Sequence, residues 1–298
     1  MKKMNFLRKN DKIGIISPAG RVTEEGTSFA INTLKSWGFE PVIGENCFGS
    51  YGCFSGKPER RKNDLQAMLD SDDIKALFCT RGGYGLAQII NDLSFEKFKK
   101  NPKMIIGYSD VTVLHNAMAN LQVPSVHAPM LRGFSTTPAN ILNHIKNILV
   151  GEFPTYRIDS QPLNRCGEAK GEIVGGNLSV LFGLRGTRFD LNFKNKILFI
   201  EDIGEKAHQI DRMLWNLKIG GVFEQISGLI VGQFTNCAED ESLMQTIQQS
   251  VANVVKEYNF PVCFNFPAGH TDVNYPIVFG VPSELKVEQD KAECRFMA

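Results

Sequence analysis

Met104-Ile105-Ile106-Gly107-Tyr108-Ser109-Asp110-Val111-Thr112 reads as a short apolar strand that turns abruptly into a helix, with a serine at the corner. The apolar run is too short for a buried helix and suits a strand covered on both faces. Asp110 to Leu121 reads as the helix that leaves it. Working outward, the same alternation recurs. Toward the N-terminus, Ile74 to Cys79 is a strand whose exit loop is Arg81-Gly82-Gly83-Tyr84-Gly85, and Leu86 to Leu93 reads as helical. Pro58 opens a helix with Leu65, Met68 and Leu69 facing inward, as the fixed proline φ favours at a first turn. A Gly- and aromatic-rich loop, 44–57, separates it from the strand Pro41-Val42-Ile43. Before that strand, Ala30, Ile31, Leu34 and Trp37 give a helix one apolar face, with Thr23 as its cap and Gly38 as its stop. Lys12 to Ser17 is the first strand, ending in Pro18-Ala19-Gly20. Such a βαβ rhythm with nearly continuous apolar strands implies an α/β fold around a parallel sheet.

The rhythm breaks at residues 151–172, which hold Pro154, Pro162 and the polar run Asn164-Arg165-Cys166-Gly167-Glu168. A linker is expected there, between a domain over 1–150 and another over 173–298. Beyond it, Lys196 to Ile200, Gly228 to Phe234 and Val262 to Phe266 read as strands, Ile210 to Lys218 and Asp240 to Tyr258 as helices, and the last thirty residues as β-rich.

Composition narrows the class. The chain has 298 residues, 43% hydrophobic and 22% charged, and a formal net charge of +1. It is globular, with no general attraction for nucleic acid or an anionic membrane. Met1-Lys2-Lys3 resembles the charged start of a signal peptide, but the apolar stretch Met4 to Leu7 is closed by Arg8, Lys9 and Asp11. A secretory core needs roughly 7–15 apolar residues and a spanning helix ~20, so a cytoplasmic protein is expected. The seven cysteines show no C-x-x-C pair, and no two histidines stand at i, i+4. The cysteines read as small buried hydrophobes in a reducing compartment, and neither a metal nor another cofactor is expected.

Ser109 sits where a hydroxyl is exposed at a strand-to-helix corner, beside the positive end of the helix. The pattern departs from G-x-S-x-G, because Val111 occupies the position of the second glycine. A nucleophile and a simple helix cap by Ser109 or Asp110 are both open readings. The Gly82-Gly83 pair is either an amide nest for an anion or a tight packed turn. Glu201-Asp202 lies at the carboxyl end of a strand, where ligand-facing groups collect in α/β sheets. Asp202 and Glu205 read as a solvated acidic loop. His270, in Pro267-Ala268-Gly269-His270, is a base on a rigid exit loop or a surface histidine bonded within its own turn. His127 is a candidate support for a site; His115, His144 and His208 are weaker. Together, Ser109, His270, Glu201 and the 82–83 loop supply an alcohol nucleophile, a base, an orienting acid and oxyanion donors.

These residues resemble the LD-carboxypeptidases, or murein tetrapeptide carboxypeptidases, a family that includes microcin-immunity serine peptidases. The likeness runs through Ser17-Pro18-Ala19-Gly20, Ser55-Gly56-Lys57-Pro58-Glu59-Arg60, Arg81-Gly82-Gly83-Tyr84-Gly85 and Gly107-Tyr108-Ser109-Asp110. It continues through Gly175-Gly176-Asn177-Leu178, Glu201-Asp202 with Ile210-Asp211-Arg212, and Pro267-Ala268-Gly269-His270. The resemblance implies an N-terminal parallel-sheet α/β domain followed by a β-rich α+β C-terminal domain, and commonly a homodimer. It implies a metal-free serine peptidase with Ser109, Glu201 and His270 as its triad. The expected reaction removes a terminal D-amino acid, usually D-alanine, from a cytoplasmic murein tetrapeptide. The amides of Asp110 and Gly83 (or Gly82) would hold the oxyanion. Arg81, Tyr84 and Asn177 are expected at the substrate, Arg81 either gripping its carboxylate or bracing the loop in a salt bridge. Ala128 stands where the family often has glycine in its H-G-P segment, and Lys206-Ala207-His208 replaces a stretch often rich in Pro and Tyr. Two other functions fit the same residues: hydrolysis of an acyl-adenylate-like peptide antibiotic, and a non-catalytic module holding an anion in its Gly-rich loop.

Overall fold

The computed structural model describes residues 5–297. The charged start Met1-Lys2-Lys3 lies outside the described residues.

The first half alternates strands and helices: β1 (Lys12–Ile16), α1 (Glu25–Ser36), β2 (Glu40–Ile43), α2 (Pro58–Asp70), β3 (Ile74–Cys79), α3 (Glu96–Lys100), β4 (Met104–Gly107), α4 (Thr112–Asn120), β5 (Ser125–His127) and α5 (Ala139–Val150). Ile13, Ile15 and Ile16 of β1 and Ala76, Leu77 and Phe78 of β3 are inaccessible to solvent, which is why these strands are continuous rather than alternating in polarity. Thr23 does cap α1, its Oγ1 accepting the Gly26 amide at 3.1 Å. The second half holds β6 (Thr155–Asp159), β7 (Gly167–Asn177), α6 (Leu178–Leu184), β8 (Ile197–Ile203), α7 (Ala207–Ile219), β9 (Gly228–Thr235), α8 (Ile247–Val254), β10 (Val262–Cys263), β11 (Ile277–Phe279), β12 (Pro282–Val287) and β13 (Lys291–Phe296).

Two sheets result, in the orders β11-β5-β4-β3-β1-β2 and β10-β9-β8-β7-β12-β13-β6. The first is parallel from β5 to β2, with β11 antiparallel at its edge. The second is parallel from β10 to β7 and antiparallel from β7 to β6. In the first sheet the chain leaves β1 toward β2 on one side and returns to β3 on the other. The crevice at the carboxyl ends of β1 and β3 is therefore a topological switch point, where α/β sheets bind ligands.

Several local expectations differ from the structure. The segment 151–172 carries β6 and the first part of β7, so it is built into the second sheet by ladder bonds to β13 and β12. Residues 86–93 form two tight three-residue turns, Leu86–Gln88 and Ile90–Asp92. The Leu86 amide there is held by the Asp110 carboxylate at 2.9 Å. The long helix over 240–258 is a short turn, Glu241–Leu243, followed by α8. Thr246 and Gln249 form a reciprocal capping box that starts the helix afresh. The strand expected over 262–266 stops at Cys263, and Asn265 (φ 56°) turns the chain left-handed.

One hydrophobic core runs from Ile13 and Phe78 through Phe134 to Phe199, Phe266, Phe279 and Phe296. It spans both halves, and β11 from the C-terminal stretch completes the first sheet. The two carboxyl edges meet at α4, where the Thr112 hydroxyl accepts the Asn177 amide from the end of β7 at 3.1 Å.

Candidate active site

Ser109 follows β4 and has φ 66°, a left-handed conformation that costs a non-glycine residue roughly 1–2 kcal/mol. The strain is held by what surrounds it. Val111 donates its amide to the Tyr108 carbonyl at 3.2 Å, and the buried Asp110 carboxylate is fixed on the Leu86 amide. Burial pushes the Asp110 carboxyl up to about 6, against the opposing pull of the Leu86 amide and Arg61. Gly82 lies flat against the serine: a Cβ there would stand 2.8 Å from Ser109 Cβ and 2.9 Å from its Oγ. The Asp110 amide is 3.4 Å from the same point. Neither the Gly83 nor the Asp110 amide donates to a backbone carbonyl among the described residues. Both remain available to an oxyanion.

The loop is held in place by Arg61, which sequence reasoning missed. Its buried guanidinium donates to the carbonyls of Gly56 (3.0 Å), Pro18 (2.7 Å) and Gly85 (2.8 Å). It thus ties together the exits of β1 and β3 and the start of α2. The only signal was its place directly after Ser55-Gly56-Lys57-Pro58-Glu59-Arg60; an arginine in a helix normally reads as surface.

The second sheet and the loop after β10 supply a buried carboxylate and an imidazole. Strand alternation sends Glu201 and Asp202 of β8 to opposite faces. Glu201 is fully buried, and its Oε2 accepts from His270 Nδ1 at 2.7 Å. Only glycine fits next to this pair: Gly269 has φ 127°, and a Cβ on it would come within 2.9 Å of Glu201 Oε2. Asn274 Oδ1 accepts the Gly269 amide at 3.0 Å and holds the loop. The Tyr108 ring lies 4.8 Å from the imidazole. Its hydroxyl is raised to about 12, by burial first and then by Glu201. With Nδ1 engaged by Glu201, Nε2 is the nitrogen left for proton transfer.

Ser109 and His270 line one cavity of about 580 Å³, together with Gly82, Gly83, Arg81 and Arg132. The structure thus gathers the serine, the imidazole with its carboxylate, and the glycine loop. Among the described residues no hydrogen bond joins the Ser109 hydroxyl to the imidazole; they face each other across shared space. Catalytic hydrogen bonds are often long without substrate.

The other expected site residues are distributed differently. Arg81 is on the cavity wall; its Nη1 donates to the Arg21 carbonyl at 3.2 Å. Tyr84 is 58% exposed and packs against Phe54 at 6.0 Å, away from the cavity wall. Asn177 is buried as the cap of α6: its Oδ1 accepts from Val180 and its Nδ2 donates to Asp202 at 2.8 Å. Asp202 is likewise buried rather than solvated. It accepts the Ser179 amide at 2.8 Å, and burial raises its carboxyl to about 6. His127 is buried against Tyr108 and Phe199, and burial holds its ring well below the ordinary imidazole value. His115 is structural, bonded to Ser125 Oγ and the Gly107 carbonyl, each at 2.8 Å. No group of three or more His, Cys, Asp or Glu among the described residues is arranged to hold a metal, and no described helix is long and apolar enough to cross a membrane.

Comparison with known proteins places this site in context. Residues 13–128 match the LD-carboxypeptidase N-terminal domain, and residues 170–285 match the LD-carboxypeptidase C-terminal domain. A probable murein peptide carboxypeptidase of Bacillus subtilis is 32% identical, over 97% of this chain and 93% of its own length. The crystal structure of muramoyltetrapeptide carboxypeptidase from Oxalobacter formigenes superposes with a TM-score of 0.87 at 25% identity, covering 96% of this chain and 99% of that one. The microcin C7 self immunity protein MccF, solved with aspartyl sulfamoyl adenosine, shares the fold, with a TM-score of 0.85 at 21% identity and 98% of both chains covered.

Proposed function

The chain belongs to the LD-carboxypeptidase family of peptidases, and from that premise we propose that it is a serine peptidase that removes the terminal D-amino acid, D-alanine, from murein tetrapeptides. The observation that carries this reading is the Glu201–His270 pair at 2.7 Å, facing a cavity shared with a serine held in a strained corner.

His270 Nε2 takes the proton as Ser109 Oγ attacks the scissile carbonyl, while Glu201 fixes the tautomer and stabilises the imidazolium. The amides of Asp110 and Gly83 receive the oxyanion as it forms. Collapse of the tetrahedral adduct expels the D-amino acid, whose amine takes the proton from His270. Water, deprotonated by the same imidazole, then attacks the acyl-enzyme, and Ser109 is restored. Arg81 grips the carboxylate of the departing residue, for which a guanidinium fork is suited.

Its place is the cytoplasm and its assembly a homodimer, as the family resemblance supports. Sedimentation equilibrium should give twice the protomer mass of 33.2 kDa. The direct test of function is mass spectrometry of a murein tetrapeptide after incubation with the chain. Loss of one terminal D-alanine is expected. An intact peptide after prolonged incubation would overturn the reading.

A further inference from the structure

Among the described residues, six buried polar side-chain atoms have no hydrogen-bond partner, and four of them belong to three residues around His270: both ring nitrogens of His127, Glu201 Oε1 and Asn274 Nδ2. Buried polar groups are costly to leave unpaired, so four in one place call for an account. His127 is fully buried at the end of β5, paired with Gly107 of β4 on one side and Ile277 of β11 on the other. Its ring lies 5.0 Å from that of Phe199, two residues before Glu201. It also lies 5.5 Å from the Tyr108 ring, whose other neighbour is His270 at 4.8 Å. The Asn274 side chain acts on the same imidazole from close by, without the geometry of a hydrogen bond. Asn274 Oδ1 is taken by the Gly269 amide, which leaves Nδ2. His127 does not line the catalytic cavity, so whatever it does for the reaction passes through its neighbours.

Burial keeps the His127 ring neutral, and a neutral imidazole has one donor and one acceptor. Asn274 Nδ2 is a donor and Glu201 Oε1 an acceptor. Two donors therefore face two acceptors. Resting on the peptidase reading above, we infer that His127 is a positioning residue for the reaction: one ring nitrogen accepts from Asn274 Nδ2 and the other donates to Glu201 Oε1, directly or through one enclosed water. Glu201 then holds two donors, His270 Nδ1 on Oε2 and His127 on Oε1. The second donor favours the ionised carboxylate although it is buried. Being uncharged, it does not compete with the imidazolium that forms on His270 during turnover. It also fixes the rotation of the carboxylate, so that Oε2 stays aimed at Nδ1. Asn274 ties this network to the loop that carries His270, because the same side chain holds the Gly269 amide.

The test compares the full chain with its His127→Phe and His127→Gln variants. Phenylalanine keeps a ring but loses both polar atoms; glutamine keeps one donor and one acceptor. His127→Phe should lower kcat on a murein tetrapeptide about 10- to 100-fold, the worth of one hydrogen bond to a charged group. KM should stay within about twofold, and His127→Gln should recover kcat to within about fivefold of the parent. In a Glu201→Gln background, His127→Phe should change kcat by less than about twofold, because the charge it positions is gone. Equal falls in both backgrounds would make His127 a merely structural residue and overturn the proposal. A second readout needs no turnover: the His270 Nδ1 proton resonance at neutral pH should shift or broaden in His127→Phe and be retained in His127→Gln. An unaltered resonance in His127→Phe would overturn the network. A parent that leaves the tetrapeptide intact counts against the peptidase reading, while the resonance still decides the network. Should His127→Phe fail to fold, nitrogen-15 histidine spectra of the parent decide. One protonated and one bare nitrogen on His127, both with the shifts of hydrogen-bonded atoms, support the proposal; a charged ring, or a bare nitrogen with the shift of an unbonded acceptor, overturns it.

Discussion

The carboxyl edges of the two sheets contribute to one cavity by different means. The edge of the first sheet works through backbone: a serine at φ 66°, a glycine pressed against it, and free amides. The edge of the second works through buried side chains: Glu201 with no solvent exposure, paired with His270. The first is vulnerable to added volume and the second to lost charge. A nucleophile needs a fixed position, which backbone strain and glycine contacts supply. A base needs a fixed tautomer and a counter-charge, which only a buried carboxylate supplies in a water-poor site.

The largest expected effect removes the group that both edges serve. Ser109→Ala should lower kcat by a factor on the order of 10⁴ or more, with an unchanged thermal midpoint in calorimetry. On the second edge, Glu201→Gln keeps the volume but loses the charge that orients His270. A fall in kcat of about 10³–10⁴ is expected. The double variant Glu201→Gln/His270→Ala should be little worse than His270→Ala alone, because the pair acts as a unit; additive losses in steady-state kinetics would break it into independent parts. On the first edge, Gly82→Ala puts a methyl within 2.9 Å of Ser109 Oγ. Displacing the nucleophile by about 1 Å should cost about 10² in kcat, with Glu201–His270 intact, as an unaltered imidazole proton resonance would show. Arg61→Met removes a buried guanidinium and leaves the Gly56, Pro18 and Gly85 carbonyls without their donor. A loss of about 3 kcal/mol in urea unfolding is expected.

The smallest effect concerns pH. The Asp110 carboxyl rises in the folded chain from the ordinary 3.8 to about 6. A carboxyl with a raised folded value holds its proton more tightly when native. Its contribution to stability is therefore present at low pH and is lost as pH climbs from about 4 to 6. Asp110→Asn removes that loss. The thermal midpoint of the variant, relative to the parent, should become more favourable between pH 4 and pH 7. A constant difference would show that the Asp110 carboxyl is not raised in the folded chain.

How much of this was legible in the sequence follows the same division. Ser109 stood out because a three-residue apolar strand running into a helix signals a corner by itself, and Gly82-Gly83 marks close backbone approach. Glu201 and His270 were found because each follows an apolar strand, yet their pairing is a tertiary fact, 69 residues apart in the chain. The capping role of Asn177 was not legible, because a cap and a substrate ligand use the same amide and its bond to Asp202 is a tertiary contact. Arg61, Tyr108 and Asn274 acquire their roles from neighbours distant in sequence. β11, three residues long, cannot be told from a loop until His127 pairs with Ile277. The break before α8 was readable, since Thr246 and Gln249 stand at capping-box spacing, but the apolar periodicity on either side suggested a continuous helix.

The central claim is that His270 of the second edge activates Ser109 of the first. Intact-mass spectrometry after treatment with a fluorophosphonate tests it most directly. The parent should gain one adduct, located on Ser109, with labelling at least about 10² slower in His270→Ala and absent in Ser109→Ala. Equal labelling rates in the parent and His270→Ala, or an adduct that persists in Ser109→Ala, would contradict it.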